Sequence, residues 1–289
     1  MWMEFDDVIA TRTSAGMSLV LGITVGLVLG LTGAGGSILA VPLLMVALSW
    51  PMTQAVPVAL IAVAAAAAMG SYLAWRKSYV RYRAAILMAV AGVLFAQLGL
   101  RVADVLPQSK LSLIFAVVLT LVASRMFVQA WRAPADAAVV RAAVEGDGEH
   151  AHGPICRLHP STGRIVWTRV SALVIAMIGA AAGFLSGLLG VGGGFVIVPA
   201  LRVATQLSMH SAVATSLMAI AITSLGTVGG ALLQGRELPL MVALPFVAGA
   251  LLGMLGGHAL APRIAGPRLQ QGFAVLMLGI AIGMGIHAS

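Results

Sequence analysis

Ten apolar runs, poor in charged residues, occupy most of the sequence. They are Ala15–Leu31, Ile38–Ser49, Ala55–Trp75, Ala84–Val105, Leu111–Trp131, Val170–Leu189, Phe195–Gln206, Ala212–Leu233, Leu238–Leu260 and Leu269–His287. Crossing a bilayer core of about 30 Å takes about 20 apolar residues in a helix. The runs therefore predict an all-α polytopic membrane protein with about 8–10 transmembrane segments. Two runs, Ile38–Ser49 and Phe195–Gln206, would reach only about 18 Å and are predicted to be short broken or re-entrant helices.

The composition excludes the common soluble classes. Hydrophobic residues make up 60% of the 289 residues and charged residues only 9%, which is too few to cover a surface that faces water. A soluble enzyme, a disordered chain and a nucleic-acid-binding domain are therefore excluded, despite the net charge of +8. A single cysteine, Cys156, permits no intrachain disulfide. Because the N-terminus carries Glu4, Asp6 and Asp7 in place of a basic region, the first run is predicted to be a retained span.

The second half of the chain repeats the first. The segment Gly26–Pro42 aligns with Gly183–Pro199 at an offset of 157 residues, and eight of the seventeen aligned positions are identical. Five apolar runs lie on each side of a polar stretch. We therefore predict two homologous transmembrane repeats, residues 13–131 and 169–289, joined by a flexible cytoplasmic loop at residues 132–168.

Basic residues in the short loops predict the orientation. Between the third and fourth runs lie Arg76, Lys77, Arg81 and Arg83. This loop is predicted to be cytoplasmic, and the short loop around Asp104 to lie outside. In the second half the basic residues move to the other loop, at Arg263 and Arg268, as expected if the two repeats are inverted.

Each repeat carries a dense glycine motif. The motifs are Gly30-x-x-Gly33-x-Gly35-Gly36 and Gly187-x-x-Gly190-x-Gly192-Gly193-Gly194. Such glycines let the backbone turn, and the next helix then starts with free N–H groups and a positive dipole end that favour an anion. A matched pair of broken helices predicts a substrate site near the membrane midplane. The substrate-binding residues predicted here are Gly33, Gly35, Gly36, Ser37, Gly190, Gly192, Gly193 and Gly194. The alternative is that the glycines only allow tight helix packing.

Polar side chains within the apolar runs add candidates. The hydroxyls of Thr215 and Ser216 could donate hydrogen bonds to an oxyanion, or could instead bond to a carbonyl one turn back. Gln97 is predicted to face the interior because polar groups in a membrane avoid lipid. Thr223 and Ser224 are weaker candidates.

These motifs carry a resemblance to a known family. The duplicated glycine element, the basic loop after the third run and the segment Ala212–Leu217 resemble the TauE/SafE family of membrane permeases. The resemblance covers nearly the whole chain. It implies export of small sulfur-containing oxyanions such as sulfite, sulfonates or sulfoacetate. The paired glycine breaks of both repeats are the predicted place where such an anion binds. In the first half, Ala55–Leu60 has no counterpart of Thr215 and Ser216. If these hydroxyls bind the substrate, the site is therefore asymmetric.

The spans contain no carboxylate suited to relaying protons. We therefore predict uniport of an anion, driven outward by an interior-negative membrane potential. A channel or an importer for related anions or carboxylates remains an alternative. Arg202 could pair with the substrate or reach the membrane interface, and His210 and His258 could carry protons or lie at the interface.

The sequence also offers two other classes of function and one possible metal site. Ser186 with His258 as base would suggest an intramembrane hydrolase, but Phe184 stands where the rhomboid-like pattern needs glycine, so no enzymatic activity is predicted. A scaffold without a ligand is a further alternative. The cluster His150, His152, Cys156 and His159 has ligand types that suit zinc but no standard spacing, so neither metal nor cofactor is predicted.

The predicted partners are a small anion and the lipid bilayer, without nucleic acid, and a homodimer is left open. The predicted location is the inner (plasma) membrane, as a multi-pass protein.

Overall fold

A computed structural model describes residues 2–33, 35–132, 167–205, 207–236, 238–264 and 267–288. Within these ranges the chain forms helices joined by short connections. The helices are α1 Trp2–Thr32, α2 Ser37–Leu48, α3 Met52–Trp75, α4 Tyr82–Val105, α5 Gln108–Arg132, α6 Arg169–Leu189, α7 Gly194–Ala204, α8 Met209–Leu233, α9 Leu240–Ile264 and α10 Pro267–Ala288. The predicted all-α fold is confirmed. The cluster at His150–His159 and nearly all of the predicted loop lie outside the described residues.

The helices differ in length in the way the apolar runs predict. Among the described residues, six helices are long and apolar enough to cross a membrane, namely α3, α4, α5, α6, α8 and α9. By contrast, α2 and α7 have 12 and 11 residues, or about 18 and 17 Å, which is well short of a bilayer core. The prediction of two short helices is confirmed.

α1 and α9 pack together through glycines of α1. The glycines and the residues whose backbone they approach are Gly22 and Phe246, Gly26 and Ala250, and Gly30 and Met254. The two sets of numbers rise together, so the helices run parallel. A Cβ on Gly26 would lie 2.7 Å from the carbonyl carbon of Ala250, so the two backbones touch.

α4 and α6, one helix from each half of the chain, form a second pair of the same kind. The contacts are Gly179 with Met88, Gly183 with Gly92 and Gly187 with Ala96, which again describe parallel helices. A Cβ on Gly183 would lie 2.5 Å from the carbonyl carbon of Gly92. Small residues therefore decide which helices can pair, because a larger side chain would separate the two backbones.

α3 and α8 pack against each other between these two pairs. Gly70 of α3 approaches the Leu217 side chain, whereas Val63, seven residues earlier, lies with Ile220 around Gly192. Along this contact the residue numbers rise on α3 while they fall on α8, so these two helices are antiparallel. α3 also contacts α9, and α8 also contacts α4, which joins the helix pairs into one bundle.

The two ends of the bundle carry different polar contacts. At one end, the Arg81 backbone N–H before α4 donates to Thr215 Oγ1 at 3.1 Å. At the other end, after α4 and α8 have crossed the bundle, Arg236 forms an ion pair with Asp104. The basic α3–α4 loop and the Asp104–Arg236 pair thus lie at opposite ends.

Candidate functional site

Two glycine turns break the apolar helices. In the first glycine turn (Gly33, Gly35 and Gly36), Gly33 has φ of +79° and its N–H donates to the Leu29 carbonyl at 2.7 Å. This turn joins α1 to α2.

In the second glycine turn (residues 190–194), which joins α6 to α7, Gly190, Gly192 and Gly193 have φ of +73°, +72° and +70°. The Gly190 N–H donates to the Ser186 carbonyl at 2.8 Å, which closes α6. A left-handed backbone favours glycine, so both motifs act as turns as well as packing surfaces.

Each turn packs against the central helix of the other half. A Cβ on Gly33 would lie 3.2 Å from Val213 Cγ2, on α8. A Cβ on Gly190 would lie 2.5 Å from Val56 Cγ2, on α3. Val56 and Val213 are themselves 157 positions apart, the offset of the glycine motifs.

Gly192 lies where α3 and α8 cross. Its Cβ position is 3.1 Å from Val63 Cγ1, 3.2 Å from Ser224 Oγ and 3.4 Å from Ile220 Cγ2. Ser224 is fully buried, and its hydroxyl has no hydrogen-bond partner among the described residues. A buried hydroxyl without a partner is unfavourable, so this group is available to a ligand.

A second buried hydroxyl without a partner flanks the same turn. Ser186 is fully buried on α6, one turn after Ala182 and one turn before Gly190. The turn folds back onto this face, because a Cβ on Gly193 would lie 2.9 Å from the Ala182 Cβ. The counterparts of Ser186 and Ser224 in the first half are Leu29 and Ala67, so these two hydroxyls have no equivalent at the first turn.

The two short helices start without side-chain caps, unlike two of their long neighbours. Thr168 caps α6 by accepting from the Ser171 N–H at 3.1 Å, and Ser208 caps α8 by accepting from the Ser211 N–H at 3.3 Å. Gly36 and Gly193, at the starts of α2 and α7, provide no such bond. Gly193 therefore offers no side-chain acceptor to the first turn of α7, whose first residue, Gly194, is buried. The Val196 N–H donates to the Gly193 carbonyl at 3.1 Å.

Three predicted polar residues make other contacts. The Ser216 hydroxyl donates to the Val213 carbonyl at 2.8 Å, which is the alternative of a bond to the preceding turn. Thr215 Oγ1 accepts from Arg81 at the end of the bundle. Gln97 Nε2 donates to the Gly226 carbonyl at 3.1 Å and holds α4 against α8.

The remaining predicted residues lie in or beside the turns. Gly36 is buried against the Leu29 backbone, Gly35 is partly buried with its Cβ position 3.4 Å from Thr32 Oγ1, and Ser37 is buried at the start of α2. Gly194 is buried as the first residue of α7, whereas Arg202 near its end is exposed.

The two turns contact different positions along α8, although the short helices α2 and α7 contact each other. The first turn contacts Val213, and Gly192 contacts Ile220, which is seven residues or about 10 Å further along α8.

Three of these groups stand out less in the sequence than in the structure. From the sequence, Ser224 is a weak candidate, Ser186 suggests only a hydrolase nucleophile, and Arg81 indicates only orientation. The Arg81 Nε atom is buried and has no partner among the described residues. The usable signal for both serines was the repeat alignment, which sets each hydroxyl against an apolar residue.

Comparison with known proteins identifies the family. Residues 18–284 match the family model described as "Sulfite exporter TauE/SafE". Two proteins from strains of Xylella fastidiosa, each named "Probable membrane transporter protein", are 32% and 30% identical to the chain over 97% of its length and 95% of theirs. A Haemophilus influenzae protein of the same name is 36% identical over 29% of this chain and 37% of its own. No solved structure matches the chain. The chain therefore belongs to the TauE/SafE family of membrane transporters.

Proposed function

We propose that the protein exports small sulfur oxyanions, such as sulfite, sulfonates or sulfoacetate, from the cytoplasm across the inner membrane. The observation that carries the proposal is the second glycine turn. There Ser224, whose hydroxyl has no partner among the described residues, lies beside Gly192, two residues before the uncapped start of α7. Backbone N–H groups, a positive helix end and a serine O–H all donate to negative charge. At the first turn, the Thr32 hydroxyl already donates to the Val28 carbonyl at 2.7 Å, so the anion binds mainly at the second turn, beside Ser224.

The distribution of carboxylates supports an anionic substrate. The Asp and Glu residues of the chain are Glu4, Asp6, Asp7, Asp104, Asp136, Glu145, Asp147, Glu149 and Glu237. None lies within the second glycine turn or the central helices α3 and α8, so no carboxylate on these segments competes with the anion. The same lack of carboxylates favours uniport driven by the membrane potential, which contributes about 2.3 kcal/mol per charge per 100 mV.

The arrangement of helices supports two inverted repeats, residues 13–131 and 169–289. Exchanging the halves would turn the α1–α9 pair into the α6–α4 pair, and both pairs are parallel. The same exchange would map the antiparallel α3–α8 pair onto itself. Repeats of this kind transport by rocking around a central site, which favours a carrier over an open pore.

We propose no enzymatic activity. A hydrolase would need a base that activates its nucleophile, and the buried Ser186 hydroxyl has no hydrogen bond to any group among the described residues.

The test is flux in liposomes that contain the full-length protein. Labelled sulfite or sulfoacetate should leave the vesicles when the interior is made negative, with saturable kinetics and a steep temperature dependence. Acetate and empty liposomes serve as controls. Absence of flux for both sulfur anions would refute the substrate class. Flux that ignores the potential but follows a pH or sodium gradient would refute uniport, and flux that does not saturate would indicate a channel.

A further inference from the structure

A small cavity lies between the second glycine turn and the Asp104–Arg236 end of the bundle. Its volume is about 10 Å³, room for roughly one water molecule. Its lining includes Val56, Gly187, Leu188 and Arg236. Val56 is the residue against which Gly190 packs, and Leu188 directly precedes the turn. The cavity therefore lies next to the second glycine turn, beside Val56 and Leu188, and reaches Arg236.

Arg236 is the cationic residue of this lining. Its side chain is only 14% exposed, whereas that of its partner Asp104 is 46% exposed. The arginine is thus largely withdrawn from water, while the carboxylate has access to it. A guanidinium group in this setting binds carboxylates and other oxyanions through the same planar pair of N–H donors.

The pair joins two different parts of the chain. Asp104 is at the end of α4, and Arg236 lies in the connection between α8 and α9. Both lie at the end opposite the basic α3–α4 loop, where Arg81 contacts Thr215. The basic loop is predicted to be cytoplasmic, which puts Arg236 at the external end of the bundle.

We propose that Arg236 is a second, external anion-binding residue, and that Asp104 occupies it when no anion is present. This proposal rests on the proposed export function. The leaving oxyanion takes the place of the Asp104 carboxylate on the guanidinium, and Asp104 turns toward water. The Asp104 carboxylate then binds Arg236 again and displaces the anion toward the outside. The competing carboxylate keeps the anion from binding Arg236 too tightly to be released.

Inhibition of efflux by external sulfite tests the proposal in liposomes that contain the full-length protein. Asp104→Asn leaves Arg236 free, so external sulfite should inhibit at a concentration about tenfold lower, as expected when a charge-assisted hydrogen bond becomes available. Arg236→Gln should weaken this inhibition by about the same factor. The matched control is Arg101→Gln, which removes an exposed arginine one turn before Asp104 and should change nothing.

A variant in which the charges of Asp104 and Arg236 are exchanged shows whether Arg236 binds the anion or only forms a structural ion pair. The double variant Asp104→Arg/Arg236→Asp can restore an ion pair but moves the guanidinium out of the cavity lining. It should recover the thermal stability of the wild type without recovering inhibition by external sulfite. Recovery of both would show that the pair is only a bridge and would overturn the proposal. Arg236→Lys keeps the charge for use if Arg236→Gln does not fold, and should retain partial inhibition.

The outcomes also distinguish the two proposals. If the wild-type protein shows no sulfite flux, both the proposed function and the external site are refuted. Wild-type flux with unchanged external inhibition in Asp104→Asn and Arg236→Gln refutes the external site alone.

Discussion

Gly190 packs directly against Val56, and this contact joins the break between α6 and α7 to the central helix of the other half. A Cβ on Gly190 would lie 2.5 Å from Val56 Cγ2, and the glycine has φ of +73°. Two separate conditions therefore require glycine here, the left-handed backbone and the lack of space.

Gly190→Ala should strongly reduce flux and destabilise the protein. The left-handed conformation alone costs a residue with Cβ about 1–2 kcal/mol, and the overlap with Val56 adds to it. Gly235→Ala is the matched control, because Gly235 has φ of +78° with no atom within 4 Å of its Cβ position. Thermal unfolding in detergent and sulfite flux are the measurements. Equal effects of the two variants would show that the Val56 contact contributes nothing.

Gly183→Ala should separate α4 from α6, since its Cβ would overlap the backbone of Gly92. We expect a lower unfolding temperature and less folded protein in the membrane. Gly229 on α8 provides the comparison, because no atom lies within 4 Å of its Cβ position. Gly229→Ala should leave stability unchanged or raise it by about 1 kcal/mol through helix propensity. A similar loss of stability in both variants would contradict close packing through Gly183.

Ser224→Ala should weaken anion binding without weakening the fold. Loss of a hydrogen bond to a charged ligand corresponds to about a tenfold higher half-saturation concentration for sulfite. The unfolding temperature should stay the same or rise, because a buried hydroxyl without a partner is removed. Thr227→Val is the control on the same helix, since the Thr227 hydroxyl already donates to the Thr223 carbonyl at 2.8 Å. Unchanged half-saturation in Ser224→Ala would remove Ser224 from the site.

Arg81→Gln should raise the half-saturation concentration for sulfite on the side of the α3–α4 loop by several-fold. The buried Arg81 Nε has no partner among the described residues, and a buried donor of this kind is available to an incoming anion. Arg83→Gln removes the same charge from an exposed position two residues away and should have a smaller effect. Equal shifts in both variants would indicate general attraction by the loop and not a specific contact.

Helix positions followed from the sequence almost without correction. The predicted run Ala84–Val105 is α4 at Tyr82–Val105, and the predicted short run Phe195–Gln206 is α7 at Gly194–Ala204. The reason is physical: in lipid a chain segment must satisfy its own backbone hydrogen bonds, so an apolar run has one stable form. The glycine breaks were predictable because dense glycine both weakens a helix and permits left-handed turns.

The partners of polar groups could not be predicted in the same way. Ser216 and Ser224 lie on one helix and are both fully buried, yet Ser216 bonds to the Val213 carbonyl while Ser224 has no partner among the described residues. Whether a hydroxyl bonds back to its helix or remains available depends on its rotamer and on its neighbours from other helices. Neither is encoded by local pattern.

By itself, the sequence determined that this protein lies in a membrane, where its helices and the two glycine breaks are, and to which family it belongs. Only the tertiary structure decided that Gly190 meets Val56, that Ser224 lies beside Gly192, and that Asp104 reaches Arg236 across 132 positions of the chain. Hydrophobicity and backbone hydrogen bonding act on each segment alone and are therefore visible in its residues. Contacts between helices depend on which small residues let two backbones meet, and that is settled by packing of the whole bundle.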